Sequence, residues 1–266
     1  MKNYLFALLI FFTATALAQT DTRIYDIIQK VSAKNIEADI TTLANFGTRN
    51  TFSDTLSSTR GIGAARRWIK AEFQQISSNC TNCLEVFYQK DLVKAATSKR
   101  VPKDTWVVNV VAIQKSKTGS NRYIIISGDI DSRNSDGSDF TKDAPGANDN
   151  ASGMAGAIEA ARVLSSYEFD ANIVYLGLSG EEQGLFGGAG FARYAQENNW
   201  DIIGVLNNDM IGNIKGVDGV ISNVDFRIFS EPVPPTETQK QRRLRRFYGG
   251  EVDGISRQLA RYVFKT

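Results

Sequence analysis

Apolar residues recur at helical spacing in the early part of the chain. Ile24, Ile27, Ile28 and Val31 share one face and predict helix over 21–46, and GTRNTFS at 47–53 then breaks the pattern. A second amphipathic stretch, 60–76, places Ile62, Ala65, Ile69, Phe73 and Ile76 on one side and Arg66, Lys70 and Gln74 on another, the pattern of a surface scaffold helix. Residues 84–88 read as a strand. From Trp106 onward, β-branched runs at 106–113, 123–127, 173–178 and 202–206 alternate with helical stretches at 152–164 and 188–197. This alternation predicts a three-layer α/β domain built on a mainly parallel mixed sheet.

In an open sheet of that kind, ligands collect beyond the carboxyl ends of the strands, and acidic residues cluster where the apolar runs stop. SGDIDS carries Asp129 and Asp131, GANDNASG carries Asp149, SGEEQG carries Glu181 and Glu182, and NNDMIG carries Asp209. Asp and Asn are also common as turn formers and helix caps. Four clusters at successive strand ends, one with consecutive glutamates, go beyond that use. Carboxylates converging on one crevice repel each other and raise their pKa values unless cations neutralise them, so a divalent metal, or a pair, is expected there. In a two-metal site one carboxylate bridges the ions, others hold each ion, and a further one takes the proton of the attacking water.

At 266 residues and 42% hydrophobic content the chain can bury a core of ordinary single-domain size. Its 31 basic and 29 acidic residues leave a formal charge of +2, too balanced to point to nucleic acid or an anionic membrane. Lys2, an apolar run over 4–12 and the small residues around Ala16-Leu17-Ala18 have the form of a signal peptide over 1–18, leaving 19–266 as one domain. The apolar run is shorter than the ~20 residues of a spanning helix, so no membrane anchor is expected and the product is read as secreted or periplasmic. Export makes a disulfide the expected state of Cys80 and Cys83. The sequence carries no signal for an oligomeric state.

The motifs GANDNASG and SGEEQG, at this separation, resemble those of the exported two-zinc aminopeptidases, the relatives of bacterial leucyl aminopeptidases. That resemblance runs from about Thr48 to the end and implies a zinc-exopeptidase-like (phosphorylase/hydrolase-like) fold with a peptide substrate. It also implies two zinc ions, with Asp149 bridging them and Glu182 and Asp209 each holding one. Glu181 would then be the general base, and Asp131 the carboxylate that orients the ligand two residues before it. The chain departs from the family in two ways. Asp129 stands where the family has a histidine, and the sequence contains no histidine at all. An oxygen ligand there makes manganese or magnesium more competitive with zinc. The chain also stops at Thr266, before the segment in which the family places its last ligand, and is read as shortened at the C-terminal end, with a sheet edge left unpaired. Two other functions fit the same residues: a glutaminyl-cyclase-like enzyme, which shares the fold, and a catalytically silent peptide-binding module.

Three further features have plainer readings. The glycine-rich 184–190 lacks the Lys-Ser/Thr of a phosphate loop. The basic run 239–246 reads as a solvated helix face. Asp136, Asp139 and Asp143 lack the spacing of a calcium loop and read as a polar surface loop.

Overall fold

A computed structural model describes residues 22–231, 237–248 and 254–265; the expected leader at 1–18 lies outside them. The first helical stretch is two helices, α1 (Thr22–Gln29) and α2 (Ala33–Asn45), split where Ser32 turns to cap α2 through its hydroxyl. α3 (Gly61–Asn79) follows, then the strands β1 (Leu84–Val93), β2 (Thr105–Gln114) and β3 (Arg122–Asp129). The order continues α4 (Gly153–Leu164), β4 (Asn172–Leu178), the short α5 (Glu181–Gly184), α6 (Phe186–Glu197) and β5 (Asp201–Asn208), and ends with α7 (Gln239–Tyr248) and α8 (Ile255–Lys265). No helix among the described residues is long and apolar enough to cross a membrane.

The five strands lie in the order β1-β2-β4-β3-β5. β3 runs parallel to both β4 and β5, while β1 with β2 and β2 with β4 are antiparallel. The sheet is therefore evenly mixed: residues 84–93 and 105–114 form a hairpin-like pair, whose connection needs no crossover helix. The parallel half is the half that carries the acidic clusters.

Period-2 alternation divides the strand side chains between two cores. Val110, Ala112, Ile173 and Tyr175 face α2, α3 and α4, packing on Leu43, Ile69, Phe73, Met154 and Ile158. Val111, Ile113, Val174 and Leu176 face the other way, onto Phe191 of α6 with Tyr194 and Trp200 at the margin. The result is the expected three layers. Cys80 and Cys83 form a disulfide at the end of α3, with Cα atoms 5.5 Å apart.

One reading of the pattern needs correction here. Arg66 does not sit on a solvated face of α3 but is buried, because the start of that helix is covered on both sides by the 48–56 loop and by β4's exit. At the other end of the sheet, β5 is an edge strand. Ile202, Ile203, Val205 and Leu206 are all exposed on it, and its outer side has no strand partner among the described residues.

Candidate metal centre

β3, β4 and β5 are mutually parallel, so Asp129, the Glu181-Glu182 pair and Asp209 all emerge at one end of the sheet. Asp149 reaches the same place by a different route. It follows no strand; it lies in the helical turn Ala147–Ser152 that leads into α4. The 130–146 segment before it is rich in Asp, Ser, Asn and Gly and forms turns, with Asp136 and Asp139 accepting hydrogen bonds from nearby backbone N–H groups. Those two acids are thus the surface-loop residues expected.

Close backbone approach brings these pieces together. A Cβ on Gly128 would lie 2.5 Å from the carbonyl carbon of Gly153, and one on Gly153 would lie 2.0 Å from the Asn208 carbonyl oxygen. The ends of β3, α4 and β5 therefore meet with no room for a side chain between them. Asn150 fastens the junction. Its Nδ2 donates to Asp129 Oδ2 at 3.0 Å and to the Asn208 carbonyl at 2.9 Å, and its Oδ1 accepts from Gly153 N at 3.0 Å and Met210 N at 3.2 Å. Only an amide can donate and accept at once in this way. Asn150 is a positioning residue that the sequence reading passed over, although it stands beside Asp149.

Asp131, 1% exposed, is a positioning residue too, but for a different group than expected. Its carboxylate accepts from Glu181 N and Glu182 N, each at 3.2 Å, and from the Thr51 hydroxyl at 3.2 Å. It fixes the backbone of the glutamate pair rather than Asp129, which is held by Asn150.

Asp149, Glu181, Glu182 and Asp209 line one cavity of ≈ 620 Å³, rimmed by Lys99, Arg100 and Arg133. Asp129 and Asp131 lie buried beneath it. Arg133 Nε donates to Glu182 Oε2, and Arg100 Nη1 donates to the Glu182 carbonyl at 2.6 Å. Among the described residues no three Asp, Glu or Cys side chains stand close enough, as they lie, to hold one metal ion. Burial, reinforced by the neighbouring carboxylates, pushes Asp129 and Glu181 up to about 7. Glu182 and Asp209 are also raised, Glu182 by burial that outweighs Arg133, and Asp209 by burial and then Asp149.

Residues 109–227 match the model of Peptidase family M28. This stretch belongs to that family. A curated relative described as a "probable zinc metalloprotease", from Pyrenophora teres f. teres, is 35% identical over 92% of the chain and 53% of its own length. The chain spans about half the length of the curated relatives it matches. Among solved structures, a Zn-dependent exopeptidase from Parabacteroides distasonis superposes with a TM-score of 0.53, at 17% identity over 68% of this chain and 62% of that one. A glutaminyl cyclase from Porphyromonas gingivalis does so with the same score, at 18% identity over the same shares. The M28 segment thus has the zinc-exopeptidase fold, and likeness of fold alone does not separate peptidase from cyclase.

In kind, the M28 crevice suits a divalent cation: its candidate donors are carboxylates, and burial and then their mutual repulsion hold the pKa values of Asp129 and Glu181 high. These raised values predict a pH dependence for the metal-free protein. Asp129 and Glu181 keep their protons in the folded state up to about pH 7, whereas in the unfolded chain they release them near pH 4. Between those limits the native state binds more protons, so stability is present at the acid end and is lost as pH rises through about 7. In EDTA the thermal midpoint is expected to fall between about pH 5 and pH 8, and added zinc or manganese to reverse much of that fall. A midpoint that rises over this range in EDTA would contradict the assignment.

Proposed function

We propose that the chain provides the metal-binding crevice of an exported M28 aminopeptidase, which hydrolyses the first peptide bond of peptide substrates. The observation that carries this reading is the set of four carboxylates lining one cavity at the carboxyl ends of parallel strands, with Glu181 titrating near neutrality. In this reading Asp149, Glu182 and Asp209 would hold the divalent ions, with Asp129 in place of the family's histidine. Zinc is favoured by the description of the curated relatives, with manganese or magnesium as competitors at so oxygen-rich a site. A divalent cation bound there polarises the scissile carbonyl and acidifies water.

The chain's own residues supply the rest. Glu181 takes the proton from the attacking water at its carboxylate and delivers it to the leaving nitrogen, a role for which a pKa near the working pH is best suited. Asp131 keeps Glu181 and Glu182 in register by gripping both backbone N–H groups. The leader-like 1–18 and the Cys80–Cys83 disulfide support export.

One observation favours a second reading. Glu182 is engaged by Arg133, Asp129 by Asn150, and no three acids are gathered on one point among the described residues. A catalytically silent peptide-binding module would look the same. Metal content, measured by mass spectrometry alongside turnover of aminoacyl p-nitroanilides with added zinc or manganese, separates the two. Two ions per chain with turnover are expected, and Glu182→Ala should lower the metal content. A folded protein that takes up no metal and turns over nothing would leave the binding module standing.

A further inference from the structure

A cavity of ≈ 1010 Å³ lies apart from the acidic crevice. It opens beside it, between the 48–56 loop, the start of α3 and the exposed edge of the β1–β2 pair. Its character is opposite. Thr51, Phe52, Arg66, Lys90, Trp106 and Phe140 line it, giving apolar and aromatic walls with cations among them.

Arg66 is the decisive residue. It is only 6% exposed, and its single side-chain hydrogen bond among the described residues is a long one, from Nε to the Ser179 hydroxyl at 3.4 Å. Its Nη2 is buried and has no partner. Burial drives its pKa down to about 10 against the pull of Asp131. Among the described residues no hydrogen bond or ion pair joins it to Asp131, whose oxygens accept from Glu181 N, Glu182 N and the Thr51 hydroxyl instead. A guanidinium stripped of water and left without a bonded anion is costly, and buried charges are normally paired.

The other charges of the pocket sort clearly. Arg60 is paired with Asp143, and Asp104 with Lys94. Asp54 is an exposed turn acid that accepts from Leu56 N and Ser57 N. Lys90 has no ion pair among the described residues, and Lys103 lies over the Phe140 ring, 5.4 Å from its centre. The surplus is positive. Trp106 is 57% exposed, large for an indole that lines a cavity.

We propose that this cavity is a second binding site, for a small organic carboxylate with an apolar or aromatic body. The carboxylate would complete Arg66, and the body would lie against Phe52, Trp106 and Phe140. A phosphate fits less well, since only one buried donor group is on offer and the lysines stand at the solvent edge, where they contribute little. The site is distinct from the acidic crevice and does not depend on a metal. Its wall is nevertheless joined to that crevice, through Thr51 on one oxygen of Asp131.

The test uses EDTA-treated protein, so that carboxylate binding to any metal is removed, with titration calorimetry as the readout. 3-Phenylpropionate is expected to bind saturably. The neutral, isosteric 3-phenylpropanamide should bind about tenfold more weakly or worse, because it cannot make a charge-assisted pair. Arg66→Met, confirmed as folded by circular dichroism, should lose the preference for the acid, and Trp106→Ala should weaken both ligands together. The exposure of Trp106 keeps that second variant safe for folding if Arg66→Met is not. Equal binding of acid and amide, no saturable binding, inorganic phosphate binding as tightly as the acid, or an unchanged acid preference in folded Arg66→Met would each overturn the proposal.

Discussion

Glu181→Gln is expected to lower the turnover of peptide substrates by about 10²–10⁴-fold while leaving the fold and the metal content in place. The substitution removes the only lining carboxylate that is both half-buried and poised near pH 7, and it keeps the shape of the side chain. Nothing structural rests on the carboxylate. The contact that fixes this residue is made by its backbone N–H to Asp131, which glutamine retains. Removing one negative charge from beside Asp131, Glu182 and Asp209 should hold the thermal midpoint of the metal-free protein or raise it. Turnover measured beside metal content and midpoint gives a pattern that a folding defect would not reproduce. Substantial activity in Glu181→Gln would transfer the proton-accepting role elsewhere.

Arg49→Met should be the most destabilising single change near the site. Arg49 is fully buried and donates to four backbone carbonyls: Ile130 at 2.8 Å, Leu43 at 2.9 Å, Pro145 at 2.6 Å and Gly146 at 3.0 Å. It ties the end of α2 to both ends of the loop that runs from Asp131 to Asp149, and its positive charge is felt by both of those acids. Methionine fills similar space but strands the carbonyls, each at a cost of about 1–3 kcal/mol before relaxation. The loop has other anchors, so the sum is not reached; a loss of about 4 kcal/mol or more in urea denaturation is the expected result. Arg49→Lys should recover only part of it, since an ammonium lacks the planar fork that reaches in several directions. A denaturation midpoint close to wild type would mean that the carbonyls find other donors.

The framework of the molecule was legible because its parallel strands are short apolar runs with a serine or asparagine directly after them and an acid within three residues. Residues 122–129, 172–178 and 201–208 each end that way, and the parallel pairing of those strands turns three separate motifs into one crevice. Pattern could not place Asp149, because its position depends on a turn-rich segment with no periodicity. Nor could it reveal Arg49 and Arg66. An arginine in a polar loop, or one helical step off an apolar face, looks solvated in the sequence; burial of its guanidinium follows from what other segments place above it. Asn150 was hidden for a related reason: its four bonds reach residues 21 to 60 positions away as well as its own turn. The antiparallel pairing of β1 with β2 was also beyond reach, since alternation states which face a residue takes but not which neighbour a strand chooses.

The outer strand β5 has a bearing on how the protein behaves in the tube. Between Asp201 and Asn207 its residues are apolar or glycine, with no lysine or proline to deter a neighbour, and the backbone groups of its outer side, which pair with no strand among the described residues, are a template for another strand. The physical liability of the molecule therefore lies at this border, away from both pockets. Aggregation should set in at a lower concentration than the near-neutral charge alone would set, and a single lysine at Ile203 or Val205 is the change most suited to relieving it.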